Sequence, residues 1–124
     1  MLKKSLACTV LIASMLPSIA FAAGLTSKVT RILIDDVNYG GCMAQLETPP
    51  STSGLLCKDS WVTFSCTGEF NSKSQAAIKV SAAQLALVTQ TQLYIQVDDT
   101  KKHNGYCFAP RVDNFRAPPT VVVP

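Results

Sequence analysis

Apolar and polar residues alternate in several short runs along the chain, and the alternation gives way once to a longer period. Lys28–Asp35 (KVTRILID) is rich in β-branched residues and stops at Asp35-Asp36, ahead of a turn at Asn38-Tyr39-Gly40-Gly41. Cys42–Glu47 puts Cys42, Ala44 and Leu46 on one face and Met43, Gln45 and Glu47 on the other. Thr48–Gly54 (TPPSTSG) cannot continue a ladder, since proline has no N–H to give and Ser and Gly favour turns. Ser60–Cys66 alternates again, with Val62, Phe64 and Cys66 inward and Trp61, Thr63 and Ser65 outward. Leu93, Ile95 and Val97 against Tyr94, Gln96 and Asp98 give the clearest strand. Asp98–Tyr106 reads as a polar loop and Cys107–Phe115 as a last strand, with Pro110 arguing for an edge or a bulge.

The period changes between the third and fourth of these strands. Ser72-Lys-Ser-Gln75 fits a capping box, and Lys73–Val88 (KSQAAIKVSAAQLALV) has no Gly or Pro, which predicts a helix over about 73–88. Ile78, Ala82 and Leu85 form one apolar stripe, and Val80, Ala83 and Leu87 cluster on another side. A helix apolar on two sides is either substantially buried, or buried on one side and covered by a partner on the other. Five short strands with one helix after the third predict an α+β, mostly-β domain, a small five-stranded OB-like barrel of order β-β-β-α-β-β. A different sheet-and-helix arrangement is the alternative.

The first 22 residues read as a signal peptide. Met1-Leu-Lys-Lys is a basic start, Ser5–Ala20 is a nearly uncharged apolar run too short for the ~20 residues of a spanning helix, and Ala20-Phe21-Ala22 is a cleavage-type sequence. Cleavage after Ala22 leaves a single domain at 23–115 and an extended Pro/Val-rich tail at 116–124, with no membrane span and a secreted or periplasmic location. Loss of Lys3 and Lys4 takes the eleven Lys+Arg to nine against eight Asp+Glu, a net charge of +1. That balance excludes a nucleic-acid footprint, for which the only basic-aromatic cluster is Lys101-Lys102-His103 with Tyr106 and Phe108.

Loss of Cys8 leaves Cys42, Cys57, Cys66 and Cys107, an even set in a small exported domain, which predicts two disulfides. The absence of any close Cys pair argues against zinc. Three pairings are open to four cysteines. A hairpin of Cys42–Glu47 with Ser60–Cys66 that sets Cys42 opposite Cys66 favours Cys42–Cys66 and Cys57–Cys107.

Catalytic patterns are missing. His103 is the only imidazole and sits in a stretch dense in turn formers, no G-x-S-x-G surrounds any serine, and each of the four remaining cysteines has an expected disulfide partner. Asp35-Asp36 and Asp98-Asp99 are acidic pairs at strand ends, where adjacent side chains point to opposite faces, so neither is an acid–base couple. Lys101 stands where a calcium loop needs an acidic ligand. No enzyme, metal or cofactor is expected, a small secreted hydrolase being the remaining alternative. Outward aromatics suggest a protein or glycan surface instead, formed by Trp61, Tyr94, Lys101, His103 and Tyr106.

The run Cys57–Cys66, then Asn71-Ser-Lys73, Ala83-Gln-Leu-Ala86 and Val97–Cys107, resembles a family of small exported proteins of Gram-negative bacteria that lack an established function. The likeness covers roughly Lys28–Phe115 and implies a periplasmic or secreted location and no known reaction. The order of elements is also similar, in topology alone, to the OB-folded B subunits of AB5 toxins, which implies a possible homo-oligomer as the alternative.

Overall fold

The computed structural model describes residues 22–115. The expected leader, apart from Ala22, and the tail at 116–124 lie outside the described residues. The chain forms β1 (Ala22–Ser27), β2 (Val29–Ile34), β3 (Cys42–Leu46), β4 (Trp61–Thr63), α1 (Lys73–Thr89), β5 (Leu93–His103) and β6 (Tyr106–Asn114). All six strands belong to one mixed sheet in the order β1-β5-β6-β4-β3-β2. Only β4–β6 is parallel.

Two expectations need correction here. The sheet has six strands rather than five, and it is not a closed barrel, because β1 and β2 stand at its opposite edges. The extra strand is Ala22–Ser27, which pairs with β5 through contacts such as Leu25↔Ile95. Its sequence, AAGLTS, has none of the β-branched density that marks a strand, and its pairing comes from the partner's exposed edge. Asp98–Tyr106 is also not a loop. β5 runs on to His103, β6 starts at Tyr106, and the turn is Asn104-Gly105, both at positive φ (52° and 85°), the conformation a two-residue hairpin requires. The ladder shifts register between Gln96 and Lys102. That irregularity fits charged residues on a strand projecting past the core.

The core follows the inward alternation. Cys42, Ala44 and Leu46 of β3, Val62 and Phe64, Leu93, Ile95 and Val97 of β5, and Cys107 and Ala109 of β6 form one buried cluster. The helix closes it with Val80, Ala83 and Ala86, whose small side chains permit close approach to the sheet. Its capping box is complete: Ser72 Oγ accepts from Gln75 N–H at 3.2 Å, and Gln75 Oε1 accepts from Ser72 N–H at 3.5 Å. The opposite stripe faces out, with Ile78 70% and Leu85 55% exposed. Of the two arrangements open to a two-sided apolar helix, the chain adopts burial on one side only.

Both disulfides join the expected partners, Cys42–Cys66 and Cys57–Cys107. The register that suggested them is off by two residues, since Ala44 faces Val62 and not Phe64. β4 ends at Thr63, and Ser65, at φ 56°, turns the chain so that Cys66 returns to Cys42.

Candidate functional site

Thr63 and Phe108 point away from the core, yet both are buried, because the segments at Tyr39-Gly40 and Glu69–Asn71 fold over that part of the sheet. The cover is pinned by His103. Its Nε2 lies 3.0 Å from Ser65 Oγ and its Nδ1 3.3 Å from a Glu69 carboxylate oxygen, and Phe70 packs on the ring at 4.5 Å between centroids. The tautomer that satisfies both contacts carries the proton on Nδ1, donates to Glu69 and accepts from Ser65. Ser65 Oγ also accepts from Phe70 N–H at 3.2 Å. Gly40 lies under the imidazole: a Cβ there would stand 2.6 Å from both His103 Cδ2 and Thr63 Oγ1, so only glycine fits.

Ser65–His103–Glu69 has the connectivity of a nucleophile, a base and its orienting acid. The resemblance stops at access. Ser65 is 0% exposed, so no substrate carbonyl can reach its hydroxyl, whose oxygen also accepts from the Phe70 amide. The array is a polar clamp, buried at Ser65, largely buried at His103 and open to solvent at Glu69, that ties the β5–β6 hairpin to the segment between β4 and α1.

Beside the clamp, α1 and the β5–β6 hairpin border a cleft of about 490 Å³. Phe70 is shared: it stacks on His103 and on Phe108 (5.4 Å), and so forms both the clamp's cap and the cleft wall. Ile78, Ala82, Phe108, Pro110 and Val112 supply the rest of the apolar lining. The charged residues lining it are Lys79, Lys101 and Arg111, all cations. Arg111 forms a two-point ion pair with Asp113 (2.7 and 3.3 Å), which holds its guanidinium further above its ordinary range. Lys79 has no acidic partner among the described residues. Its ammonium donates to the Ala109 carbonyl at 3.1 Å and lies 4.7 Å from the Phe108 ring centre, and burial lowers its pKa. Asn71 lines the same cleft, and both polar atoms of its side chain are buried without a hydrogen-bond partner. Gln75 Oε1 is taken by the helix cap, which leaves its NH₂ free to face a ligand.

The residues expected to form one surface are dispersed. Trp61 sits across from Gln45 on β3 with the Arg31 guanidinium 5.5 Å over its ring. Tyr94 lies against Gly24 of β1, so closely that any side chain there would collide with its ring. Tyr94 faces Asp113 on β6, and Val62, next to Trp61, faces Cys107. Six to seven residues of strand therefore separate the two aromatics, about 20 Å. Tyr106 packs edge-on against Tyr39 (5.5 Å) with Lys58 over its face (5.1 Å), and His103 belongs to the clamp. Of the expected residues only Lys101 lines the cleft.

Sequence reasoning passed over Asn71, Lys79, Arg111, Ser65 and Glu69. One signal pointed to Lys79: it is the only charged residue between Lys73 and Asp98, a lone cation beyond the first residue of the helix. Asn71 carried no such mark. No protein-family model, curated protein or solved structure matches the chain.

Proposed function

We propose that the chain is an exported, non-enzymatic binding module that seats its ligand in the cleft between α1 and β6. The observation that carries this reading is the side chain of Asn71. A buried amide with both polar atoms unpaired costs about 1–3 kcal/mol, and it is explained if a bound molecule completes its hydrogen bonds. The two disulfides fit an oxidising compartment, in keeping with the leader-like first 22 residues and the resemblance to small exported proteins. An OB-type scaffold is part of the same proposal. Counted as one strand bent at Lys28, β1 and β2 would serve both edges of a five-strand, partly open barrel, with the helix between the third and fourth strands.

A fragment screen by two-dimensional NMR on the oxidised protein tests the site. Hits should shift the amides of Asn71, Lys79 and Phe108 and vanish in Ala82→Trp, which fills the cleft. Hits clustering at Trp61 or Tyr94 would move the site to the surface suggested by alternation, and refute the cleft.

A second reading, an oligomeric component of a secreted complex, is favoured by the outward side of α1. Ala77, Ile78, Ser81, Gln84, Leu85 and Val88 are uncharged, and the last is 80% exposed, where a solvated helix normally carries charges. Light scattering on the eluting protein distinguishes a monomer from a ring or dimer.

A further inference from the structure

We infer that the ligand of the cleft is a small amphiphile with a carboxylate head and an aliphatic or aryl-aliphatic body. This rests on the cleft reading above and adds the chemistry of the occupant.

The polar groups of the cleft are biased toward donors. Lys79 has three N–H donors and spends one on the Ala109 carbonyl. The Asn71 NH₂ is unpaired, the Gln75 NH₂ is free of the cap, and Lys101 is exposed at the rim. No carboxylate lines the cleft among the described residues. A cationic ligand would meet Lys79 and Lys101 with no carboxylate in the lining to balance it, the Arg111 charge being already paired with Asp113. A neutral one would leave the half-buried Lys79 ammonium with only the Ala109 carbonyl and the Phe108 ring against a burial that disfavours its charge. Lys79 and Asn71 line the same cleft, and an anion bound by both would balance the ammonium and accept from the Asn71 NH₂, leaving only Asn71 Oδ1 without a donor. A carboxylate suits the position because its two oxygens can accept from the ammonium and the amide together.

The remainder of the lining sets the body. Phe70, Ile78, Ala82, Phe108, Pro110 and Val112 offer hydrocarbon and ring faces and few polar groups. A polyanion such as a nucleic acid or an acidic peptide would leave its further charges against that wall. A volume of about 490 Å³ lies within the range of small-molecule clefts.

The test uses octanoate, octan-1-ol and octyltrimethylammonium, titrated separately into the oxidised ¹⁵N-labelled protein. Octanoate is expected to shift the amides of Asn71, Lys79 and Phe108 at the lowest concentration. Lys79→Met should weaken octanoate about tenfold or more while leaving octan-1-ol unchanged, and Lys79→Arg should retain most of the octanoate affinity. Lys101→Met, at an exposed position that cannot disturb folding, should weaken octanoate about twofold to fivefold. Octan-1-ol or octyltrimethylammonium binding as tightly as octanoate, or equal octanoate binding by the wild type and Lys79→Met, overturns the carboxylate assignment and leaves the cleft standing. Absence of cleft shifts with all three probes overturns the assignment, and if the fragment screen is also blank the cleft reading falls with it.

Discussion

Replacing Ser65 separates a clamp from a catalytic nucleophile, and the backbone makes the comparison sharper than a single deletion would. Ser65→Ala removes the acceptor of the Phe70 N–H and the donor to His103 Nε2. Two buried or half-buried polar groups lose their partners, at about 1–1.5 kcal/mol each, so the cost is about 2–3 kcal/mol. Ser65→Gly loses the same hydroxyl and one carbon more, which ordinarily makes it the worse variant. Here Ser65 sits at φ 56°, a left-handed conformation that disfavours any Cβ by about 1 kcal/mol, and glycine relieves that cost. The order therefore inverts: Ser65→Gly is more stable than Ser65→Ala by about 1 kcal/mol. Urea unfolding followed by fluorescence reads the difference cleanly, because Trp61 is the only tryptophan. With a denaturant slope of about 1–1.5 kcal/mol per molar, Ser65→Ala shifts the midpoint down by about 2 M, and Ser65→Gly recovers somewhat less than 1 M of that. An unchanged midpoint in Ser65→Ala refutes the clamp, and Ser65→Gly below Ser65→Ala refutes the backbone argument. Ester hydrolysis by the wild type that disappears in a Ser65→Ala protein of intact stability would make the serine a nucleophile after all.

Asn71→Leu keeps the branching of the side chain and removes two unpaired polar atoms, so it should raise the unfolding midpoint, a gain of about 1–3 kcal/mol, while weakening octanoate; thermal unfolding and the NMR titration check the pair. Opening Cys57–Cys107 by a double Cys→Ala change should cost about 4 kcal/mol, and opening Cys42–Cys66 about 3.5 kcal/mol, since their closed loops span separations of 50 and 24 residues; guanidinium titrations measure both. The Asp35 carboxylate accepts from the Asn38 and Val37 N–H groups and the Asn38 side chain, which holds its pKa below the ordinary carboxylate value. Because the folded-state pKa is the lower one, its contribution is complete above about pH 4 and fades as acid protonates it. The stability gap between wild type and Asp35→Asn should therefore narrow as the pH falls below about 4, and a constant gap would exclude this linkage. Leu85→Lys should leave monomer stability within about 0.5 kcal/mol, because Leu85 is largely exposed, and should lower the mass seen by light scattering if copies of the chain pack through α1.

Local chemistry was enough for every element that carries its own pattern. The strict alternation of Leu93–Val97, the Ser72/Gln75 capping box and the inward cysteines each have a physical cause within a few residues, and each appears where the periodicity places it. The disulfide partners were legible as well, although the register behind them was two residues out, because nothing in the sequence marks the turn at Ser65 that ends β4. β1 was illegible for the opposite reason. Ala-Ala-Gly-Leu-Thr-Ser has little preference of its own and becomes a strand because β5 offers it an edge. The hairpin extension past Asp98 was hidden by its charges, since a strand beyond the core needs no apolar face. The site belongs to this second category. Asn71 precedes α1 and Lys79 lies two turns into it, Lys101 and Arg111 stand on strands of the hairpin, and only the packing of the helix against β6 brings them to one cleft. Trp61 and Tyr94 show the converse, two outward aromatics that β6 keeps about 20 Å apart. Side-chain period and turn chemistry act over one to four residues, so they are written along the chain. Which surfaces meet depends on crossovers such as the parallel β4–β6 pair, and no local pattern encodes that distance.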